Sequence, residues 1–266
     1  MGLEIMTREE IVRKLEPWRA RVRRPAWKPL VEAGEGPVTG ARFGGTPWIG
    51  PYAPWPECGH CHMPLSFFLQ LDLGNLPQEL DGRFGTGLLQ LFYCTRDECQ
   101  GYGGWEPFAD DLSRVRVVQP TGPRSTITPA PAEVLPAQRI VGWSSFTDLP
   151  MPQEHGELGL QYTYNFKRGM LRLQCPEVSL DTTYPLTECP TEEIAHSKSG
   201  DKLAGWPAWV QGVEYPHCPR CEQRMILVLQ VDSEDNLPFM FGDVGCGHIT
   251  QCPAHKDVVA FGWACC

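Results

Sequence analysis

The sequence has no apolar stretch approaching the roughly 20 residues that span a bilayer. Its opening residues, MGLEIMTREEIV, show no cationic start followed by an apolar run. Neither a membrane helix nor a secretory signal is expected. Gly2 follows Met1, but Met6 stands where myristoylation needs Ser or Thr. Cytoplasm is therefore the expected compartment, with no membrane partner. Positive charge is scarce too, with 23 Lys and Arg against 32 Asp and Glu and a net charge of -9. Duplex binding needs a basic stripe, because phosphate contacts dominate affinity. The densest basic run holds only Arg21, Arg23, Arg24 and Lys28, and reads as a solvated segment after a helix. Nucleic acid is not an expected partner, whereas an acidic chain suits a basic one.

Catalytic signatures are missing as well. There is no Gly-x-x-x-x-Gly-Lys phosphate loop, no His-Glu-x-x-His and no Gly-x-Ser-x-Gly elbow. The run Gly82-Arg-Phe-Gly85-Thr-Gly87 lacks the dinucleotide pattern. Asp232, Glu234 and Asn236 faintly follow a calcium loop, but Leu237 takes the obligatory glycine place, so an acidic turn is expected. Asp110-Asp111 and Glu192-Glu193 read as solvated charge.

What the sequence does have is 27 glycines, 26 prolines and 12 cysteines. Abundant Gly and Pro favour many short strands joined by turns. Thr7-Arg-Glu-Glu10 has the form of a capping box. Ile11, Val12, Leu15 and Trp18 then recur at helical spacing, predicting a short N-terminal helix over about residues 8–20. In a reducing compartment, cysteines point to metal ligation before disulfides.

An internal repeat organises the rest. An offset of 160 aligns Gly45 with Gly205, Pro47 with Pro207, Pro56 with Pro216, Cys58 with Cys218 and Cys61 with Cys221 (218 − 58 = 160). It also aligns Gln70 with Gln230 and Asp72 with Asp232. Further on the offset becomes 158, pairing Gly87 with Gly245, Cys94 with Cys252 and Trp105 with Trp263. Such phase over this span predicts a duplicated unit. In each copy a Cys-x-x-Cys knuckle leads into a buried strand (65–71; 225–231), then a loop and a second strand (88–93; 248–251) that runs into another cysteine. The second copy adds a strand over 258–264 with Val259, Phe261 and Trp263 on one face. Strands over 114–118 and 138–143 flank a proline-rich connection, 119–136, with Pro120, Pro123, Pro129, Pro131 and Pro136. The fold expected is α+β and β-rich, with extended mixed or antiparallel sheets. Its divisions are 1–37 (helix and lead-in), 38–118 (first repeat), 119–196 (connection and middle strands) and 197–266 (second repeat).

The spacing of the thiols predicts metal sites. Two residues separate Cys58 from Cys61 and four separate Cys94 from Cys99, as in tetrahedral four-cysteine zinc sites. In the second copy Cys218, Cys221 and Cys252 lack a matching fourth cysteine. His255 completes the set most naturally, with Cys265, Cys266 and Cys246 as alternatives. Two structural zinc ions are expected, although spacing alone does not separate zinc from iron. A closed four-ligand site has no open position for substrate or water. His60, His62 and His217 flank the knuckles and read as surface residues, and Cys175 and Cys189 as buried thiols. No catalytic residue is nominated.

The segment Thr39-Gly-Ala-Arg-Phe-Gly-Gly-Thr-Pro-Trp48, with Trp55-Pro56 and Leu69-Gln-Leu-Asp72, resembles the YwqG-like family of unknown function (DUF1963). Ser197-Lys-Ser-Gly200, Gly205-Trp-Pro207, Gly242-Asp-Val-Gly245 and Phe261-Gly-Trp263 resemble its second half. The resemblance runs from about residue 38 to 266, weakest across 119–190, and implies a duplicated α+β fold. The knuckle–strand–cysteine order is more distantly similar to the programmed cell death protein 2 family, whose members chaperone a ribosomal protein; that implies protein binding. The expected function is a zinc-stabilised cytosolic protein-binding scaffold that takes another protein, basic in character, at a sheet edge or inter-repeat cleft. One alternative is an immunity protein that neutralises a toxin. A second is a metal-dependent enzyme using an incomplete second metal site near His248, His255 and Asp243. A redox switch at Cys265-Cys266 ranks last, since adjacent cysteines form strained disulfides.

Overall fold

The computed structural model describes residues 6–99, 107–108, 112–126, 133–186, 194–233 and 235–265. Trp105, Asp110, Asp111, Pro129, Pro131, Cys189, Glu192, Glu193, Glu234 and Cys266, singled out above, lie outside them. The expected helix forms as two short ones, α1 (Arg8–Lys14) and α2 (Glu16–Val22). Thr7 and Glu10 make the reciprocal capping box. The break at Leu15 follows from Pro17, which has no N–H to continue the ladder and is tolerated only in a helix's first turn.

Among the described residues thirteen strands follow: β1 (Arg24–Ala33), β2 (Arg42–Phe43), β3 (Ser66–Asp72), β4 (Leu88–Tyr93), β5 (Ser113–Val118), β6 (Gln138–Asp148), β7 (Gln161–Asn165), β8 (Met170–Cys175), β9 (Leu180–Pro185), β10 (Lys202–Ala204), β11 (Ile226–Asp232), β12 (Cys246–Gln251) and β13 (Val259–Ala264). Ten form one sheet in the order β13-β12-β11-β10-β1-β6-β2-β3-β4-β5. Four strands in antiparallel succession, β2 to β5, mirror four others, β10 to β13, about the central β1 and β6. β3 against β4 shifts register between Phe67 and Leu69, and β11 against β12 between Leu227 and Leu229, 160 residues on (227 − 67 = 160).

Two expectations change. The basic run Arg21 to Lys28 is not simply solvated: from Arg24 onward it belongs to central β1, with Ala26 and Trp27 buried and Arg24 and Lys28 turned out. Pro25 and Pro29 had hidden the strand's alternation. Residues 161–185, read only as middle chain, form a separate three-stranded antiparallel sheet, β7-β8-β9.

The chain divides into two compact units. The larger (27–145, 200–204 and 214–266) holds nearly all of the ten-stranded sheet. Its end strands β5 and β13 lie against each other. The interior is an aromatic cluster in which Phe68 meets Phe239 at 4.8 Å and Tyr93 meets Phe261 at 6.2 Å between ring centroids. Phe241 touches Phe68, Tyr93, Phe261 and Trp263. Such pairs contribute about 0.5–1.5 kcal/mol each beyond their burial.

The smaller unit (1–26, 146–199 and 205–213) packs Ile11, Leu15, Trp18 and Val22 of the helices with Leu171, Leu173, Leu180 and Tyr184 of the small sheet. Its two buried indoles are matched. Trp18 donates to the Leu158 carbonyl at 2.7 Å, and Trp206 to that of Val22 at 2.9 Å. Buried His155 lies between Trp18 and Tyr162, with Nδ1 2.7 Å from the Tyr162 hydroxyl and Nε2 3.1 Å from the Pro150 carbonyl. A carbonyl only accepts, so Nε2 carries the proton and Nδ1 accepts from Tyr162.

Burial pushes the His155 imidazole down to about 4. The unfolded chain takes up this proton near 6.5, so it binds more protons than the folded state between those values. Stability should be full above pH 6.5 and fall as pH drops towards 4, by on the order of 3 kcal/mol. Urea unfolding of the native chain and of His155→Gln between pH 7 and 4 checks this: the stability difference between them should shrink as the pH falls.

Candidate metal centres

Both knuckles are built identically, residue for residue at the offset of 160. Cys58 N–H donates to the Met63 carbonyl and Cys218 N–H to that of Gln223, each at 2.9 Å. His62 N–H returns to the Cys58 carbonyl and Glu222 N–H to that of Cys218. Leu65 N–H then reaches the Pro56 carbonyl, and Met225 N–H that of Pro216, so each hairpin closes below its sulfurs. The turn needs one residue in the left-handed region, and His62 (φ 57) and Glu222 (φ 58) take it. His60, His62 and His217 are exposed, and His60 and His62 stay outside the sulfur cluster.

β3 and β4 bring the first knuckle to Cys94, at the end of β4, and to Cys99. The sulfurs of Cys58, Cys61, Cys94 and Cys99 lie within 4.8 Å of one another. Cys58 is 3.8 Å from Cys99, and Cys61 is 3.9 Å from Cys94. Tetrahedral zinc with Zn–S near 2.3 Å sets sulfurs about 3.8 Å apart. In the second group Cys221 Sγ is 3.6 Å from Cys252 Sγ, and His255 Nδ1 is 3.6 Å from both Cys218 Sγ and Cys252 Sγ. Zinc bonds of about 2.3 Å to sulfur and 2.0–2.1 Å to nitrogen require nearly those edges. Both donor sets therefore fit a tetrahedral dication. Of the described residues considered for the fourth place, His255 is the one brought to the three sulfurs; Cys266 lies outside the described residues. Cys246 is buried on β12 with its sulfur 3.8 Å from His248 Nε2, and Cys265 stands outside the group. Cys175 is a buried thiol in the core of the smaller unit.

Burial pushes the Cys58 and Cys94 thiols up. For Cys252 burial acts the same way, but amide N–H groups of His255 and Ala254 outweigh it and lower the thiol. Four protonated donors this close satisfy each other poorly, whereas a dication would hold the thiols as thiolates. Arg220 and Asp257 form a bidentate pair, at 3.0 and 2.5 Å, across the second site. Both are more than half exposed, so the pair contributes little by itself.

One constellation has no signature in the sequence, because only strand register assembles it. Arg42, Gln70, Gln90 and Arg116 are successive Cα partners across β2, β3, β4 and β5. Gln90 donates to Gln70 Oε1 (3.0 Å) and to the Trp48 carbonyl (2.6 Å), while Arg116 Nε donates to Gln90 Oε1 (3.0 Å). Gln70 accepts from Trp48 N–H at 2.9 Å and donates to the Val38 and Gly40 carbonyls. Arg42, 1% exposed, pairs with Glu35 and binds the Pro37 and Thr46 carbonyls. The ladder holds the loop before the first knuckle onto the sheet. Its counterpart is Lys202, Gln230, His248 and Gly262. The repeated glycines serve related anchors. At Gly45 (φ 69) a Cβ would sit 2.8 Å from the Glu35 carboxylate that accepts Thr46 N–H. At Gly205 (φ 78) it would sit 2.5 Å from the Asp148 carboxylate that accepts Trp206 N–H.

The model of the domain of unknown function DUF1963 matches residues 41–252, well over half of the chain. The chain belongs to the DUF1963 family. It also shares 44% identity over 43 residues with the uncharacterised protein YpfL of Salmonella typhimurium. That match covers 16% of this chain and 10% of YpfL, so YpfL's length lies almost entirely outside it.

Gln70→Leu keeps the side chain's bulk but strands the buried Trp48 amide and two loop carbonyls. It should cost about 2–4 kcal/mol, read as a lower urea midpoint with an unchanged slope.

Proposed function

We propose that this DUF1963 chain is a zinc-stabilised protein-binding scaffold, built from two diverged copies of a knuckle-and-sheet unit, each closed by one structural zinc. The observation that carries the reading is the pair of four-donor clusters, each with its donor atoms within 4.8 Å. Matching hydrogen bonds around the two knuckles and matching register shifts 160 residues apart support duplication. In the first site Cys58, Cys61, Cys94 and Cys99 hold the metal; in the second Cys218, Cys221, Cys252 and His255 do. Zinc bound there supplies no chemistry beyond fastening loops, since four protein ligands leave no position for substrate. His255 in the fourth place favours this over an enzyme with an incomplete second site.

The ligand loops need that fastening. They close long segments that carry few apolar contacts apart from Cys58, Leu65, Phe67, Phe92 and Cys94 at one site and Cys218, Met225, Cys252 and Val258 at the other. Structural zinc sites supply on the order of 10–16 kcal/mol of folding free energy in peptides. A net charge of -9 supports a basic protein as the partner, met in the cytoplasm. Among the described residues no helix is long and apolar enough to cross a membrane.

Elemental mass spectrometry on protein purified without added metal or chelator should give about two zinc per chain. Cys58→Ser with Cys61→Ser should give about one, and so should Cys218→Ser with Cys221→Ser. Two zinc retained in either double variant would sink the ligand assignment. A pull-down from the native host with the metal-loaded chain should recover a basic protein, lost when zinc is stripped. Recovery of an acidic partner, or of none, would count against the scaffold reading.

A further inference from the structure

Each candidate site is tied to the opposite half of the larger unit through the residue that immediately precedes its third ligand. In the first half this is Tyr93, next to Cys94. Its hydroxyl accepts from the Trp263 indole N–H on β13 at 2.9 Å. In the second half the same position is Gln251 (251 − 93 = 158), next to Cys252. Its Nε2 donates to the Phe84 carbonyl in the first half at 3.1 Å and to the Lys256 carbonyl at 2.7 Å. Lys256, next to His255, donates to the Arg83 carbonyl at 2.6 Å. Residues 83–85 are fitted to this contact, for a Cβ on Gly85 (φ 77) would approach the Lys256 side chain to 3.2 Å. All of these residues belong to one compact unit.

We infer that the two metal sites are coupled: loading either one tightens the other, through the Tyr93–Trp263 brace and the Gln251 and Lys256 braces. The inference rests on both clusters holding metal, as proposed above. A metal at the first site fixes Cys94 and thereby the main chain at Tyr93, which places the hydroxyl that Trp263 meets. β13 pairs with β12 in continuous register from Cys246–Ala264 to Gln251–Val259, so a docked β13 holds the strand that delivers Cys252. In the other direction, a metal on Cys252 and His255 fixes Gln251 and Lys256, and with them the Arg83–Gly85 turn that leads into β4 and Cys94. Neither half can set its third ligand without ordering a residue the other half uses. Ordering entropy spent for the first metal is thus not spent again for the second, which is positive cooperativity. Met or Leu in place of Gln251 and Lys256 would fill the same space without reaching those carbonyls, so the braces are specific features, separable from packing.

The test is a cycle of zinc affinities at the second site, measured on the full chain by competition with a chromophoric chelator. The native chain is compared with Cys58→Ser/Cys61→Ser. Both are then remade with the braces cut by Tyr93→Phe, Gln251→Leu and Lys256→Met, which keep the ring in the aromatic cluster and the bulk of the other two side chains. Loss of the first site should weaken zinc at the second by about tenfold, the ordinary range of coupling between sites. In the brace-cut background the same loss should change it less than twofold. Two zinc bound by the brace-cut chain at saturation establish that it folds and keeps both sites. An unchanged second-site affinity after loss of the first overturns the coupling. An undiminished tenfold loss in the brace-cut chain overturns the braces as its route. A native chain that takes up no zinc at either site instead overturns the metal reading itself.

Discussion

A loop laid over a sheet carries peptide groups out of water, and each must find a partner. In the larger unit the segment from Glu35 to Trp48 covers polar positions of β2, β3 and β4, and its exposed valences are met by Arg42, Gln70 and Gln90 in one cross-strand row. This row is why a β-rich interior keeps fully buried glutamines and an arginine. An unmet buried amide costs more than a made one contributes, so the row sets the register of four strands as firmly as the aliphatic side chains do. The row thereby holds to the sheet the loop that leads into the first knuckle.

The two donor clusters and the offset of 160 were legible in the sequence because both are local or periodic. A Cys-x-x-Cys turn aims two sulfurs together whatever surrounds it, and an offset of 160 is visible without knowing the fold. Strands β3, β4, β5, β11 and β13 could be placed to within a residue, because apolar runs bounded by Gly and Pro leave few other readings. β1 was hidden by Pro25, Pro29 and its basic residues, and β7 to β9 by exposed polar faces and turns such as Asn165 to Gly169. β1 owes its place to β6 and β10, far along the chain. The Arg42–Gln70–Gln90–Arg116 row was illegible in principle, since its members are adjacent only once three strand pairings are set.

Within the mirrored strand order the two halves carry different side chains. The first row ends in Arg116 on β5, whereas the second ends at Gly262 on β13. The first site is closed by a fourth thiol and the second by an imidazole. Backbone positions 160 residues apart make the same hydrogen bonds while carrying different side chains. The scaffold thus resides in the pairing and the knuckle turns, and the side-chain chemistry of each face has been free to change.

The meeting of β5 and β13 has a consequence for how such a protein behaves when crowded. An open ten-stranded sheet would present two long rows of unpaired N–H and C=O groups, which is a template for strand addition by another chain. With β5 and β13 lying against each other, the two end rows of the large sheet face one another, which narrows the room for strand addition there.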